Sequence, residues 1–232
     1  MGANRHDPDP ETTAAISALY LDYRDRKDEL SDLDGAVVPG EGSHNPLAVL
    51  LGEAPGRSEN AARRPFVGYT GRKLRYAMEE HGIDPAKCWI TNAVKIWPRD
   101  PDGKTRTPDK HEIDASRDYL FRELGIIAHG GNRMPGEAAP LLVTLGRSAL
   151  TAITGDLYRK QTLLRMHGVL IRVELPRHLT GSGTTWDVFP TVHPSALRST
   201  EMRELWDADW SMIGALVQER KKEGRYRRGK HV

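Results

Sequence analysis

The sequence predicts an α/β fold: a three-layer α/β/α sandwich built on a central, mainly parallel four-stranded sheet. Two observations carry that prediction. Short, continuous apolar runs occur at Ala48 to Leu51, Cys88 to Asn92, Leu141 to Leu145 and Val188 to Val192, the pattern of strands covered on both faces rather than one. Helix-like stretches separate these runs, which is the order of a parallel sheet joined by crossover helices. With 232 residues, no internal repeat and no linker-like interruption, the chain reads as one domain.

Taken in order, residues 1–10 contain Asp7-Pro8-Asp9-Pro10 and are expected to be a disordered leader that caps a helix from about Glu11 to Lys27. The domain proper spans 11–218. Helices are expected near Gly71 to His81, Pro108 to Leu124, Gly146 to Thr154 and Glu201 to Arg220, several opened by proline or a small polar residue. The last of them places Leu205, Ile213 and Leu216 on one face. Gly168 to Glu174 is apolar and β-branched, so it adds an edge strand or hairpin, and Gly125 to Pro140 is a polar, glycine-rich loop.

A net charge of +2 is weak as a global attraction for nucleic acid. The tail, 219–232, is different: Arg220, Lys221, Lys222, Arg225, Arg227, Arg228 and Lys230 face only Glu219 and Glu223. Such an end is either a solubilising terminus or an arm for phosphates. The single cysteine, Cys88, excludes an internal disulfide and an all-cysteine metal site, and fits a reducing compartment. No apolar run approaches the roughly 20 residues that span a bilayer. The start lacks the apolar stretch of a secretory signal, and His6 stands where a myristoylation signal needs Ser or Thr. The expected setting is cytoplasmic or nucleoid-associated, away from membranes.

The chemistry-bearing stretch is Leu51-Gly52-Glu53-Ala54-Pro55-Gly56, where a strand runs straight into a carboxylate on a glycine-flanked turn. Ligands of open α/β sheets sit beyond the carboxyl ends of strands, and glycine lets the backbone approach them closely. Alone, the pattern reads equally as a structural turn. Three further segments stand at comparable places: Pro65-Phe66-Val67-Gly68, Thr91-Asn92-Ala93-Val94-Lys95 and His193-Pro194-Ser195-Ala196-Leu197-Arg198. Read one by one, Phe66 is a core aromatic, Asn92 a cap and His193 a structural histidine.

In order and spacing the four segments resemble the uracil-DNA glycosylase superfamily over about residues 35 to 215, most closely the bacterial and archaeal branch whose first motif reads GEAPG followed by an acidic pair. The resemblance implies a monofunctional glycosylase that hydrolyses the N-glycosidic bond of uracil in DNA, leaves an abasic site and serves base excision repair. It assigns Glu53 and His193 to catalysis. Glu53 orients water or stabilises the sugar cation, and His193 donates to uracil O2 as charge grows there, an interaction worth about 2.7–4 kcal/mol. Gly52, Ala54, Glu59, Phe66 and Asn92 meet the base: Phe66 stacks, Asn92 reads N3–H and O4, Ala54 offers a backbone N–H, and Glu59 crowds C5 against thymine, its companion acid being replaced by Asn60. Lys95, Ser195, Leu197 and Arg198 meet the DNA, with Leu197 as a wedge and Lys95 either on a phosphate or simply on the surface.

Two departures qualify the resemblance. Members of the nearest branch hold an iron–sulfur cluster on four cysteines, whose aligned positions here are Asp25, Asp28, Ile96 and Ser116. No cluster, metal or other cofactor is therefore expected, and packing around Ile96 and Trp97 should hold the N-terminal segment instead. Another branch bonds covalently to the sugar through a histidine before a Thr-Pro pair. In Asp102-Gly103-Lys104-Thr105-Arg106-Thr107-Pro108 none precedes Pro108, and His111 lies beyond it, so turnover is expected. Arg99 to Arg106 is either a basic loop on DNA or a solvated one. The expected partner is uracil-containing DNA, single- or double-stranded, and the protein a monomer. Rival readings are a glycosylase for another damaged base and a non-catalytic binder of uracil-containing or single-stranded DNA.

Overall fold

A computed structural model describes residues 9–30, 35–130, 138–158, 160–181 and 184–229, without the side chains of 29, 30 and 224–229. The chain runs through α1 (Pro10–Asp25), α2 (Lys27–Leu30), β1 (Glu41–Gly42), β2 (Ala48–Gly52), α3 (Arg57–Ala62), α4 (Tyr69–Glu80), a 3-10 turn (Pro85–Lys87) and β3 (Cys88–Asn92). It continues through α5 (Lys110–His129), β4 (Leu141–Leu145), α6 (Arg147–Thr154), α7 (Leu163–Met166), β5 (Ile171–Glu174), α8 (Arg177–Thr180), β6 (Thr185–Thr191), a second 3-10 turn (Pro194–Ala196) and α9 (Thr200–Gly229).

The sheet has the order β1-β3-β2-β4-β6-β5. Its four inner strands are parallel and are the four that the apolar runs predict. Antiparallel edge strands make six in all: β5 falls in the expected Gly168 to Glu174 segment, while β1 is two residues long and has no apolar signature.

Alternation along β2 divides the core. Val49 and Leu51 join α1, α5 and α6 on one face, and Ala48 and Leu50 join α4 and α9 on the other, which makes the three layers. On α9 the buried stripe is Trp206, Trp210, Ile213 and Val217, with the expected Leu205 and Leu216 on its flanks. Caps fix the helix starts: Asp9 accepts from the Thr12 N–H at 2.9 Å ahead of Pro10, and Asp109 and Glu112 form a reciprocal box at the start of α5.

Two helices run past their expected ends. Helix α5 carries through Gly125 to His129, so the loop starts at Gly130; residues 131–137 of it, like residues 1–8 of the leader, lie outside the described residues. Helix α9 continues to Gly229, so the basic tail extends that helix. Arg220, in the stretch read as either a solubilising end or a phosphate arm, donates to the Ala139 carbonyl at 2.8 Å and to Asp187 at 2.5 Å.

The positions aligned with the cluster cysteines do not fit an iron–sulfur group. Asp25 and Asp28 are exposed, Ile96 is fully buried, and the Ser116 hydroxyl bonds to Tyr23 Oη at 3.0 Å. The one cysteine, Cys88, lies buried in β3, where burial pushes its thiol up to about 12. Attachment of α1 is more polar than expected. Ile96 is in the core, but Tyr23 also stacks edge-on against Tyr119 at 4.9 Å, Asp22 pairs with Arg122 at 3.0 Å, and Tyr20 donates to Glu123 at 2.7 Å.

Candidate active site

Strands β3, β2, β4 and β6 lie side by side and parallel, so the segments that follow their carboxyl ends gather at one end of the sheet. That order brings Asn92, Glu53, the Gly146 turn and His193 together from positions far apart in sequence.

A register pair sets how closely the side chains approach at this end of the sheet. Gly52 on β2 is opposite Asn92 on β3, and a methyl group at residue 52 would meet Asn92 Oδ1 at 2.3 Å and Phe66 Cζ at 2.4 Å. The amide and the ring thus converge over Gly52, and any larger residue there would collide with both. Both side chains are buried. Phe66 adopts φ = 52°, a left-handed conformation that costs a non-glycine residue about 1–3 kcal/mol and persists only where the surroundings impose it.

Glu59 supplies that constraint. Its Oε2 accepts from the Gly56 N–H at 3.1 Å and its Oε1 from the Gly68 N–H at 2.7 Å, joining the GEAPG loop to the loop of Phe66. Glu59, expected against uracil C5, is buried with both carboxylate oxygens on these backbone donors. Asn60 Oδ1 likewise accepts from the Ala36 N–H at 3.0 Å. The carbonyls of Gly52 and Glu53 accept from Ala93 and Val94 at 2.9 and 3.0 Å, and the side chain of Ala54 packs on the core.

Glu53 projects half-buried from this loop. Ser148, at the start of α6, donates its hydroxyl to Oε2 at 2.7 Å. Burial raises the carboxyl pKa above the ordinary 4.5, while hydrogen bonds from Ser148 and Thr107 pull the other way. Ser148 and Thr107 are absent from the sequence-based site because nothing local marks them. They reach Glu53 only through the β4–α6 turn and the loop before α5.

His193 caps the second 3-10 turn. The Ser195 N–H lies 3.2 Å from Nδ1 and the Ser195 hydroxyl 2.8 Å from it. A backbone N–H can only donate, so Nδ1 is the acceptor and the imidazole proton sits on Nε2. Ser195, expected on the DNA and also in fixing this turn, holds the ring through both bonds. Gly146, at φ = 92°, lets the β4–α6 turn pass beneath the ring, where a Cβ would meet His193 Cβ at 3.0 Å.

Burial lowers the His193 pKa from 6.5 to about 4, so the ring is neutral at physiological pH. The sign for stability follows. Between 6.5 and 4 the unfolded chain takes up a proton that the folded one refuses, so stability falls as pH drops through this window, by about 3 kcal/mol in full. His193→Gln should lose this part of the acid dependence. Urea denaturation at neutral pH and at about pH 4 checks it, and an unchanged difference between the two conditions would refute the neutral, buried ring.

Comparisons with known proteins agree with this geometry. Residues 39–211 match the family described as the Uracil DNA glycosylase superfamily. The chain belongs to that superfamily. It is 35% identical over 180 residues to a type-4 uracil-DNA glycosylase of Pyrobaculum aerophilum, covering 76% of this chain and 81% of that one. Proteins of the same description from Archaeoglobus fulgidus and Thermotoga maritima are 31% and 32% identical, over 82% and 81% of this chain and 87% and 85% of theirs.

The outer residues of this superfamily member divide into two groups. Arg198 is exposed beside the His193 turn and Leu197 is half-buried against the core, both compatible with a DNA-facing edge. Lys95 is not: its side chain is 1% exposed and its ammonium lies 2.6 Å from Glu123, whose side chain is 0% exposed. The expectation of a phosphate contact or a surface position is corrected, because the side chain turns inward beneath Asn92. Arg106 in the basic loop is held bidentately by Glu112 at 2.6 and 2.8 Å. Arg57 and Arg99 lie over the Trp97 ring, 5.8 and 5.7 Å from its centroid.

Proposed function

We propose that this chain is a monofunctional uracil-DNA glycosylase that hydrolyses the bond between uracil N1 and deoxyribose C1′ in DNA, leaving an abasic site for base excision repair. The observation that carries this reading is the convergence of the Asn92 amide and the Phe66 ring over Gly52, with Glu53 and a neutral His193 at the same end of the sheet. An extruded base stacks on Phe66. The Asn92 carbonyl accepts from N3–H and its NH2 donates to O4, a pattern that cytosine presents inverted.

As the C1′–N1 bond breaks, its electron pair passes into the uracil ring, and His193 Nε2–H donates to the O2 where charge accumulates. In the neutral imidazole Nδ1 accepts from the Ser195 N–H, which leaves the single ring proton on Nε2 as the donor. The Glu53 carboxylate stabilises the positive charge at C1′ and accepts the proton of the water that adds there. No amine nucleophile stands in this arrangement, so strand cleavage is not part of the reaction. The protein acts as a monomer in the cytoplasm or on the nucleoid.

Release of free uracil from a labelled single-stranded oligonucleotide tests the reading, and Asn92 variants test its selectivity. Leaving N3–H and O4 unpartnered costs about 1–3 kcal/mol each, so Asn92→Ala should lose at least about fivefold per contact. Asn92→Asp should lose uracil activity too, but gain weak excision of cytosine, since burial raises a carboxyl pKa and the protonated acid donates to N3 while accepting from N4. Parental rates in Asn92→Ala would make the residue a structural cap and displace the pocket.

A further inference from the structure

Helix α4 starts immediately after the Phe66 loop and packs against the Pro194–Ala196 turn that carries His193. Its inner face is spent on the core through Leu74, Ala77 and Met78. Its outer face carries Tyr69, Arg72, Lys73 and Tyr76, spaced so that all four share one side of a 3.6-residue helix. Tyr69 is 66% exposed and Tyr76 64% exposed, unusual for large aromatic side chains that a fold has no use for outside. Lys73 Nζ lies 4.7 Å and Arg72 Cζ 5.9 Å from the Tyr69 ring centroid. The neighbouring Arg75 turns aside to Glu41 at 3.2 Å, and the adjoining positive charges of Arg72 and Lys73 remain on the aromatic face.

We propose that this face of α4 is a platform for the single strand that flanks the flipped nucleotide, with Tyr69 and Tyr76 stacking on bases and Arg72 and Lys73 contacting phosphates. The inference rests on the glycosylase reading for the direction from which the strand arrives. Two arguments select DNA as the occupant. The strip is continuous with the base slot, because the loop that holds Phe66 leads directly into its first residue. Its composition, exposed aromatic rings interleaved with cations, matches what single strands require: π-faces that accept any base and charge that follows the backbone. The two rings are about 10 Å apart along the axis, a span an extended strand crosses in one or two nucleotide steps.

The test measures excision by the full chain on a uracil trinucleotide and on a long single-stranded uracil oligonucleotide, together with binding of an undamaged single strand by fluorescence anisotropy across a salt series. Tyr69→Ala and Tyr76→Ala should each lower kcat/KM on the long strand, and affinity for the undamaged one, by about tenfold. Excision from the trinucleotide should stay at the parental value, and the Tyr→Phe variants should match the parent throughout. Arg72→Gln and Lys73→Gln should each reduce the slope of log affinity against log salt by about 0.7. Equal losses on both substrates, or no loss in either tyrosine variant, would overturn the platform. If the parent releases no uracil, the glycosylase reading fails, while the anisotropy series still decides whether α4 holds a single strand.

Discussion

Glu53→Gln is expected to lower the single-turnover rate of uracil release by about 100- to 10 000-fold, the range for losing a positioned acid–base group. Binding of uracil-containing DNA should stay at least as tight, because the amide keeps the shape and removes a negative charge near phosphates. The pH profile adds a sharper check. Glu53 works ionised, and burial raises its pKa above 4.5, whereas His193 stays neutral down to about 4. The acid limb of kcat/KM therefore belongs to Glu53, with the rate falling as pH drops through its raised pKa. Ser148→Ala removes a hydrogen bond that favours the charged carboxylate, so the acid limb should move to higher pH while the plateau changes less. Rate–pH profiles of the parent and both variants decide the point. A parental rate in Glu53→Gln would remove the carboxylate from the mechanism, and an acid limb unmoved in Ser148→Ala would remove the serine.

What the sequence makes legible follows from how locally each feature is encoded. The inner strands are legible because burial on both faces leaves continuous apolar runs, and Cys88–Asn92 and Leu141–Leu145 end where those runs end. Strand β1 is not, since two residues pair with β3 through backbone alone. Glu53, Asn92 and His193 stand out through the family resemblance at strand ends, Phe66 in the loop between α3 and α4, and parallel strand order gathers the first three at one end of the sheet. Their partners are hidden. Ser148 reaches Glu53 across 95 positions, and the double grip of Glu59 on Gly56 and Gly68 depends on a loop closure that no spacing reveals. Lys95 is misread for a sound reason: a lysine is almost never fully buried without a partner. A signal for that partner exists, because Glu123 falls on the same face of α5 as Ser116, Leu120 and Ile127, all buried. A carboxylate on an apolar helix face calls for a buried cation.

That pair underlies the largest expected loss of stability. The Lys95 ammonium donates to Glu123 at 2.6 Å, to Thr91 Oγ1 at 2.7 Å and to the Asn92 carbonyl at 2.5 Å. Glu123 also accepts from Tyr20 at 2.7 Å and from Trp89 Nε1 at 2.8 Å, and Tyr20 Oη accepts from the Gly40 N–H at 2.6 Å. Burial pushes the lysine pKa down and Glu123 opposes it, so each charge depends on the other. Lys95→Met leaves the carboxylate buried and uncompensated, which costs about 3–5 kcal/mol. The double variant Lys95→Met/Glu123→Gln removes both charges and should recover part of that loss, a non-additivity that urea denaturation measures directly. Because Lys95 also holds the strand end that presents Asn92, uracil excision by Lys95→Met should fall even where the protein remains folded. The salt dependence of DNA binding should not change, since no phosphate contact is lost. A stable Lys95→Met protein whose salt slope drops by about one contact would return Lys95 to the DNA and leave α1 joined to the sheet by other means.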